Sequence, residues 1–226
     1  MKTVIDKRLE MLLKLVPECI LCADIGTDHG YLGIELLKRG ICKKVQFSDI
    51  SAPSLDKARL HAAMAGLEDK AVFTVADGVD KLEKDAGAVI IAGMGADTIL
   101  SIIENGKDKL GDAVLILEPN INPDMVRAAL PKLGYRIADE NMTKDNGRFY
   151  TAIRAEKGSE EYTREQLLAG PRLLEKKSDV LKEYVGRWIR IQTKALKGAT
   201  DGNDEQAAET IKKELDCWRN IENTLQ

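Results

Sequence analysis

The sequence predicts an α/β fold: a doubly wound, seven-stranded sheet followed by a C-terminal helical hairpin. Before residue 158, short apolar runs alternate with segments of helical periodicity, which is the pattern of βαβ units. An Asn-Gly pair, Asn146-Gly147, separates two further strand-like runs, and this pair is a strong hairpin signal. From Glu160 onward the strand pattern stops, and apolar residues recur only at helical spacing.

Length and composition indicate a soluble globular protein. The 226 residues are 44% hydrophobic and 31% charged, with a net charge of −3. We expect two domains, residues 1–157 and residues 158–226. Any nucleic-acid site must be a local patch, because a global basic field is absent. No apolar run is long enough to span a membrane and the charged N-terminus is not a signal peptide, so we expect a cytoplasmic location without membrane contact.

The four cysteines do not form a disulfide framework. Cys19 and Cys22 bracket a predicted strand instead of opening a helix as a redox motif does, and Cys42 and Cys217 are isolated in the sequence. With only two histidines in the chain, a zinc site would lack ligands. We therefore expect structural cysteines and no metal.

The first predicted elements are a helix, a strand and a second helix. Helical spacing of leucines covers residues 4–15, and we expect Lys7 and Arg8 at its start to face solvent, although an N-terminal helix can also cover a cofactor pocket. The apolar run 19–23 is short enough for a buried parallel strand. The next helix begins at Tyr31 and ends near Gly40.

The remaining elements follow the same logic. Strands are predicted over residues 44–47, 71–76, 88–92, 113–117, 136–140 and 149–155, and helices over residues 53–66, 97–105 and 124–133. In the tail, the apolar positions 173–196 and 208–225 predict two antiparallel helices, a short coiled-coil hairpin joined by the polar turn Gly198–Asp204. The first of these helices is rich in Lys and Arg, which fits a solvated face or an RNA contact equally well.

The turn after the first strand carries the clearest functional signal. Residues 23–32 read A-D-I-G-T-D-H-G-Y-L, and Gly26 and Gly30 allow a sharp turn with close approach to a ligand. Asp28 stands where a dinucleotide fingerprint has its middle glycine, so a phosphate there would meet a like charge at a cost of roughly 1 to 4 kcal/mol. The turn suits an adenosine ligand with positive charge and no phosphate. S-adenosylmethionine meets that description and NAD does not; the alternative is an ordinary turn without a ligand.

Later strand ends add three candidate sites. Asp49 lies about 20 residues past the glycine turn, where a carboxylate commonly accepts from both ribose hydroxyls; a helix-capping role is the alternative. Asp77-Gly78 can face the adenine edge, although Asp-Gly is also a common turn. Gly93 and Met94 suggest a backbone pressed against a ligand, with the Met94 thioether lining the adenine or the methyl donor, or else filling a gap in the core.

Six motifs together resemble one known family. They are D-I-G-T-D-H-G-Y-L (Asp24–Leu32), S-D-I (Ser48–Ile50), D-G (Asp77–Gly78), G-M-G (Gly93–Gly95), P-N (Pro119–Asn120) and D-N-G-R-F-Y (Asp145–Tyr150). They resemble the bacterial tRNA adenine-22 N1-methyltransferases over almost the whole chain, with departures at Glu118 and Ala96. The resemblance implies a Rossmann-like class I methyltransferase fold, S-adenosyl-L-methionine as cofactor and tRNA as partner, with the coiled-coil hairpin helping to hold the RNA.

The resemblance also implies a set of site residues. The expected cofactor-binding residues are Asp24, Gly26, Thr27, Asp28, His29, Gly30, Asp49, Ile50, Asp77, Gly78 and Gly93. Among these, Asp24, Gly26, Asp28 and Gly30 belong to the methionine side of the pocket. Asp49 is expected at the ribose, and Asp77 with Gly78 at the adenine. Nothing in the sequence suggests an obligate dimer, so we expect a monomer.

The expected chemistry needs alignment more than a strong base. N1 of adenine carries an in-plane lone pair and no proton at neutral pH, so it can attack the sulfonium methyl directly. We expect Asp28, Met94 and Asn120 at the reacting groups: Asp28 or Glu118 near the charge that builds on the ring, and Asn120 on the base edge. Extrusion of the target base is also expected. The alternatives are a methyltransferase for another RNA or a small molecule, an NAD-dependent oxidoreductase, and a non-catalytic RNA-binding module.

Overall fold

A computed structural model describes residues 5–226. The chain divides into two compact units, Met1–Glu160 and Glu161–Gln226. The division lies three residues beyond the boundary expected from the sequence, which separates residues 157 and 158. Each unit has its own core, as an independent domain requires.

The first unit alternates strands and helices and ends in a hairpin. Its helices are α1 (Lys7–Leu13), α2 (Tyr31–Lys38), α3 (Ala52–Met64), α4 (Ala96–Asn105), α5 (Lys107–Leu110) and α6 (Pro123–Ala129). Its strands are β1 (Cys19–Ile25), β2 (Cys42–Asp49), β3 (Ala71–Val75), β4 (Ala88–Met94), β5 (Val114–Pro119), β6 (Tyr135–Asp145) and β7 (Arg148–Lys157). The predicted N-terminal helix is shorter than expected, and Val4 lies outside the described residues. The predicted helix 124–133 is also shorter, because its second half is a 3₁₀ turn over Leu130–Leu133.

All seven strands form one sheet in the order β3-β2-β1-β4-β5-β7-β6. The first five strands are parallel, and β7 pairs antiparallel with both β5 and β6. The predicted fold class is therefore confirmed. Chain order reverses direction between β1 and β4, and in such sheets ligands bind beyond the carboxyl ends of the strands at that switch point.

The central strands are buried because helices cover both faces of a parallel sheet. Four successive residues of β4, Ala88 to Ile91, are fully buried, which explains why this strand reads as a continuous apolar run. The hairpin extends further than its apolar residues predict, with pairing up to Asp145 and Arg148. Its two-residue turn has positive φ at Asn146 (47°) and Gly147 (76°), as a type I′ turn requires.

Cys42, which is isolated in the sequence, lies beside another cysteine in the fold. Cys19 and Cys42 are register partners at the start of β1 and β2, and their Sγ atoms lie 3.3 Å apart. Cys22 is fully buried in β1. All four cysteines are free thiols. Two cysteines that each open a neighbouring strand meet across the sheet, which spacing along the chain does not reveal.

The second unit is helical, as predicted, but it has four helices instead of two. They are α7 (Arg164–Ala169), α8 (Pro171–Lys176), α9 (Asp179–Asp201) and α10 (Glu205–Leu225). The first predicted helix is interrupted at Lys177, whose φ is +49°, and α9 begins after the N-cap Ser178. The predicted turn is wrong in its first half, because α9 continues through Gly198 to Asp201.

The long hairpin of this unit is held by aromatic packing. Trp188 of α9 stacks on Trp218 of α10 with centroids 5.7 Å apart and planes 3° from parallel, and Tyr184 meets both rings edge-on. Trp218 is buried. These contacts fix the pairing of the two helices, since aromatic side chains dominate the energetics of small cores. Across residues 5–226, no helix is both long enough and apolar enough to cross a membrane.

Candidate active site

A cavity of about 310 Å³ lies at the switch point of the sheet. Three segments line it: α1 with its N-cap, the segment from the end of β1 to the start of α2, and the end of β4. The lining residues are Asp6, Arg8, Leu9, Leu12, Asp24, Gly26, Thr27, Asp28, His29, Tyr31, Leu32, Ala92 and Gly93. Six of the predicted site residues are thus brought together in one wall: Asp24, Gly26, Thr27, Asp28, His29 and Gly93.

The turn at Gly26 admits only glycine. Its φ is +73°, and its amide donates to the Ser48 carbonyl over 2.8 Å, which ties the end of β1 to the end of β2. A Cβ atom at this position would overlap the Cε methyl of Met94. Met94 therefore packs directly against the turn. Both the backbone conformation and this contact exclude a side chain at Gly26.

Asp24 is the buried charge of the cavity. Only 6% of the residue is exposed, and its Oδ2 accepts from the Thr27 hydroxyl over 2.7 Å. Burial raises the pKa of Asp24 to about 6, against an ordinary value of 3.8; the hydrogen bond from Thr27 opposes this rise and the charge of Asp49 adds to it. At neutral pH the carboxylate is ionised in a poorly solvated place, which favours a cationic ligand beside it.

Asp28 occupies the mouth of the cavity. Its φ is +42°, a left-handed conformation that aspartate tolerates better than most residues. The side chain is 65% exposed, and its carboxylate lies 3.5 Å from His29 Nε2 and 3.9 Å from Lys57 Nζ. The negative charge predicted for this turn is therefore present at two depths, in Asp24 within the cavity and in Asp28 at its edge.

Asp49 lies beside the turn, outside the cavity wall. Its Oδ2 accepts from the Asp28 amide over 3.4 Å, and its Oδ1 accepts from the Ser51 amide over 2.8 Å. It is not the helix cap considered as the alternative, because the N-cap of α3 is Ser51. The neighbouring Ile50 is 72% exposed.

The predicted adenine site follows the next strand of the sheet. The Ala76 amide donates to the Asp49 carbonyl over 3.1 Å, which draws the start of the Asp77–Gly78 loop to the end of β2. Asp77 is exposed, and Gly78 has a φ of +49°. Neither residue lines the 310 Å³ cavity. They form a separate stretch of the same edge of the sheet.

Arg8 does not face solvent as its sequence position suggests. Its Nε and Nη2 donate to Glu118 Oε2 over 3.1 and 2.7 Å, and Glu118 is fully buried. The same carboxylate oxygen accepts from the Gly93 amide over 2.8 Å. Burial disfavours the charged guanidinium, but the hydrogen bond to Glu118 and the nearby negative groups together outweigh burial, so the pKa of Arg8 is raised above its ordinary value.

Glu118 consequently has a different place from the one considered for it in the sequence. Its charge is balanced by Arg8, so it serves to join α1 to the ends of β4 and β5 instead of providing a free negative charge. The sequence offered an N-terminal helix as a cover of the cofactor pocket only as an alternative, and it did not pair Arg8 with Glu118. The available signal was Glu118 itself, because a carboxylate at the end of an apolar strand needs a buried partner.

Asn120 holds the Gly93–Met94 segment from the other side. Its side-chain Nδ2 donates to the Gly93 carbonyl over 2.7 Å, and its amide donates to the Met94 carbonyl over 2.8 Å. The residue is exposed, and its side-chain hydrogen bond to Gly93 uses Nδ2 and not Oδ1. The side chain thus presents an acceptor next to Met94. Among the described residues 5–226, no group of three or more His, Cys, Asp or Glu side chains is placed to hold a metal ion.

Comparison with known proteins identifies the family. A family model described as a methyltransferase domain matches residues 5–153. The tRNA (adenine(22)-N(1))-methyltransferase of Bacillus subtilis strain 168 is 30% identical over 194 residues, which cover 82% of this chain and 80% of that protein. The chain belongs to this methyltransferase family. The resemblance carried by the six motifs is confirmed.

Solved structures of this methyltransferase family share the whole fold. The crystal structure of the B. subtilis m1A22 tRNA methyltransferase TrmK has a TM-score of 0.88 and 25% identity, covering 96% of this chain and 98% of that one. A candidate tRNA (m1A22) methyltransferase of Streptococcus pneumoniae, in complex with S-adenosyl-L-methionine, has a TM-score of 0.86 and 28% identity, covering 97% of this chain and all of that one. Both units are therefore features that these relatives share.

Proposed function

We propose that this protein transfers the methyl group of S-adenosyl-L-methionine to N1 of adenine 22 in tRNA. Family membership supports the reaction. The observation in this chain that carries the proposal is the buried carboxylate of Asp24 in the cavity at the switch point, beside a turn where only glycine fits.

The cavity fits a cationic adenosine ligand better than a dinucleotide. Asp6, Asp24 and Asp28 line it, and the arginine in its wall, Arg8, is already paired with Glu118. At the mouth, His29 and Lys57 lie beside Asp28 only. The buried carboxylate of Asp24 repels a pyrophosphate and attracts an ammonium or sulfonium group. When bound, S-adenosylmethionine supplies an electrophilic methyl group.

The cofactor-binding residues divide into three groups in this proposal. Asp24, Gly26, Thr27, Asp28, His29, Gly30 and Gly93 hold the methionine part. Asp49 accepts from the ribose hydroxyls, with Ile50 beside it. Asp77 and Gly78 face the adenine. The bond between the Asp28 amide and Asp49 couples the first two groups, so that they are positioned together.

The target base is aligned by residues that follow β4 and β5. Asn120 Oδ1 accepts from the exocyclic amino group of adenine, which sets the adjacent N1 at a fixed angle. Met94 packs against the ring beside it, and Asp28 favours the positive charge that the methylated base acquires. The protein need not remove a proton, since N1 carries none at neutral pH.

The second unit provides a surface for the tRNA backbone. Exposed basic side chains follow one another along α9: Lys182, Arg187, Arg190, Lys194 and Lys197. Such side chains bind phosphates in a salt-dependent manner. We further propose that the protein acts in the cytoplasm. We also propose that it acts as a monomer, because one copy of the chain contains every group named above.

The test is methyl transfer to defined tRNA transcripts. The protein is incubated with labelled S-adenosylmethionine and either a tRNA with adenine 22 or the same tRNA with guanine 22. We expect label in the first transcript and at most background in the second. Equal labelling of both, or labelling of a small molecule in place of RNA, would overturn the proposal. Sedimentation at the assay concentration tests whether the protein is a monomer.

A further inference from the structure

The loop between β5 and α6 exposes a large aliphatic side chain at the active site. Ile121, which directly follows Asn120, is 64% exposed, and Met125 in α6 is 39% exposed. Exposed aliphatic residues are common on proteins and need no explanation when they are isolated. This one differs because its neighbour in the chain is a residue that we place at the target base.

The backbone that carries Ile121 is fixed. Asn120 makes two hydrogen bonds to the Gly93–Met94 segment, of 2.7 and 2.8 Å, immediately before Ile121. Asn122, immediately after it, has a φ of +55°, and Pro123 begins α6. Ile121 is therefore presented from a short turn that is held at both ends, and its position relative to Met94 is constrained.

Its place in the sheet is on the substrate side. The cofactor residues after β1 and β2 lie on one side of β4, and β5 lies on the other. A base that reaches Asn120 and Met94 lies next to the end of β5, and Ile121 and Met125 are exposed in the segment that follows this strand.

We infer that Ile121 is a wedge that enters the tRNA when the target adenine is extruded, with Met125 flanking it. Extruding a base leaves the faces of its two stacking neighbours exposed to water, and proteins that open nucleic acid fill such gaps with apolar side chains. Ile121 is an aliphatic side chain of suitable size, one residue from the group that receives the extruded base. The inference rests on the proposed function.

The test compares a normal substrate with one that is already open. Single-turnover methylation is measured for the wild-type protein, Ile121→Ala and Ile121→Met on two tRNAs: one intact, and one with an abasic nucleotide next to the target adenine, so that the stack is already broken. Ile20→Ala is the matched control. Ile20 is also an exposed isoleucine, at 68%, but it lies near the amino end of β1, whereas the proposed site lies at the carboxyl ends of the strands. S-adenosylmethionine binding is measured for every variant.

The expected result is a selective defect. Ile121→Ala should methylate the intact tRNA about tenfold more slowly than wild type and the opened tRNA at a rate within about twofold of wild type. Ile121→Met should recover most of the rate, and Ile20→Ala should match wild type on both. Equal rates for Ile121→Ala and wild type on intact tRNA would overturn the wedge, and so would an equal loss on both substrates. If the wild-type protein methylates neither tRNA, the proposed function itself fails.

Discussion

Arg8 Nη2 lies 2.7 Å from Glu118 Oε2, so that a helix near the start of the chain and a strand end 110 residues later share one partly buried ion pair. The Glu118 carboxylate also accepts from the Gly93 amide. One side chain thereby connects α1, β4 and β5 around the cavity. Because the cavity wall contains residues from α1, loss of this pair should affect ligand binding as well as stability.

Replacing only one residue of the Arg8–Glu118 pair should destabilise the protein. Arg8→Ala leaves Glu118 buried without a counter-charge and should lower the free energy of unfolding by about 2–4 kcal/mol. Glu118→Gln in the same background removes the stranded charge and should recover part of the loss. Denaturant unfolding of the two single variants and the double variant gives the coupling energy. Additive effects would mean that the two side chains do not act as a pair.

Gly26→Ala should destabilise the protein by more than the strain of a positive φ at alanine. Gly26 and Gly40 have nearly the same φ, +73° and +70°, but a Cβ at Gly26 would overlap Met94 whereas a Cβ at Gly40 meets nothing within 4 Å. Gly40→Ala should therefore cost only the conformational strain, about 1–2 kcal/mol, and leave S-adenosylmethionine affinity unchanged. Gly26→Ala should cost more and weaken binding at least tenfold by calorimetry. Equal behaviour of the two variants would contradict the contact with Met94.

Asp24 should make stability depend on pH between about 4 and 6. In the unfolded chain the pKa of an aspartate is near 3.8, whereas the folded pKa of Asp24 is about 6. The folded protein therefore binds more protons in this window, and its free energy of unfolding falls as pH rises, by about 3 kcal/mol in total. Asp24→Asn removes the titrating group and with it this pH dependence. The free energy of unfolding of the variant should therefore rise relative to that of wild type as pH increases from 4 to 7.

Asp24→Asn should also weaken the binding of S-adenosylmethionine. S-adenosylmethionine affinity of the wild-type protein should fall as pH drops below about 6, because Asp24 then becomes neutral. Asp24→Asn should bind at least tenfold more weakly at pH 7.5 and lose this pH dependence. Calorimetric titration at pH 5 and pH 7.5 measures both effects. A variant that binds as tightly as wild type at both pH values would remove Asp24 from the cofactor site.

Asn120 should affect the base and not the cofactor. Asn120→Ala removes the acceptor at Oδ1 and the bond to Gly93, and we expect the single-turnover rate on tRNA to fall about a hundredfold with S-adenosylmethionine affinity within twofold of wild type. Asn120→Asp keeps the acceptor but cannot donate to the Gly93 carbonyl, so its rate should lie between the rates of wild type and Asn120→Ala. Normal turnover by Asn120→Ala would exclude the residue from the reaction.

Local chemistry explains why much of the fold could be predicted. The hairpin turn follows from Asn146 and Gly147, which tolerate positive φ, and the buried strands follow from apolar runs such as Ala88 to Ile91. Helix ends were predicted less well. Gly198 has a low helix propensity, yet α9 continues past it, since a helix already 20 residues long tolerates one glycine near its end.

The parts of the site that could not be predicted are the non-local ones. The turn from Asp24 to Gly30 is one continuous segment, so its sequence carries the signal. Arg8 and Glu118 are distant in the chain, and the sequence does not show that they form an ion pair. Cys19 and Cys42 meet only because β1 and β2 pair in register. Contacts of this kind depend on strand order and register, which periodicity does not specify.

The most direct test of the account is to identify the methylated nucleoside and its position. After reaction of the wild-type protein with a tRNA transcript and S-adenosylmethionine, the RNA is digested and its nucleosides are separated by chromatography and mass spectrometry, while fragments locate the modified position. We predict 1-methyladenosine at position 22. N6-methyladenosine, a methylated base of another kind, or 1-methyladenosine at a different position would contradict the account.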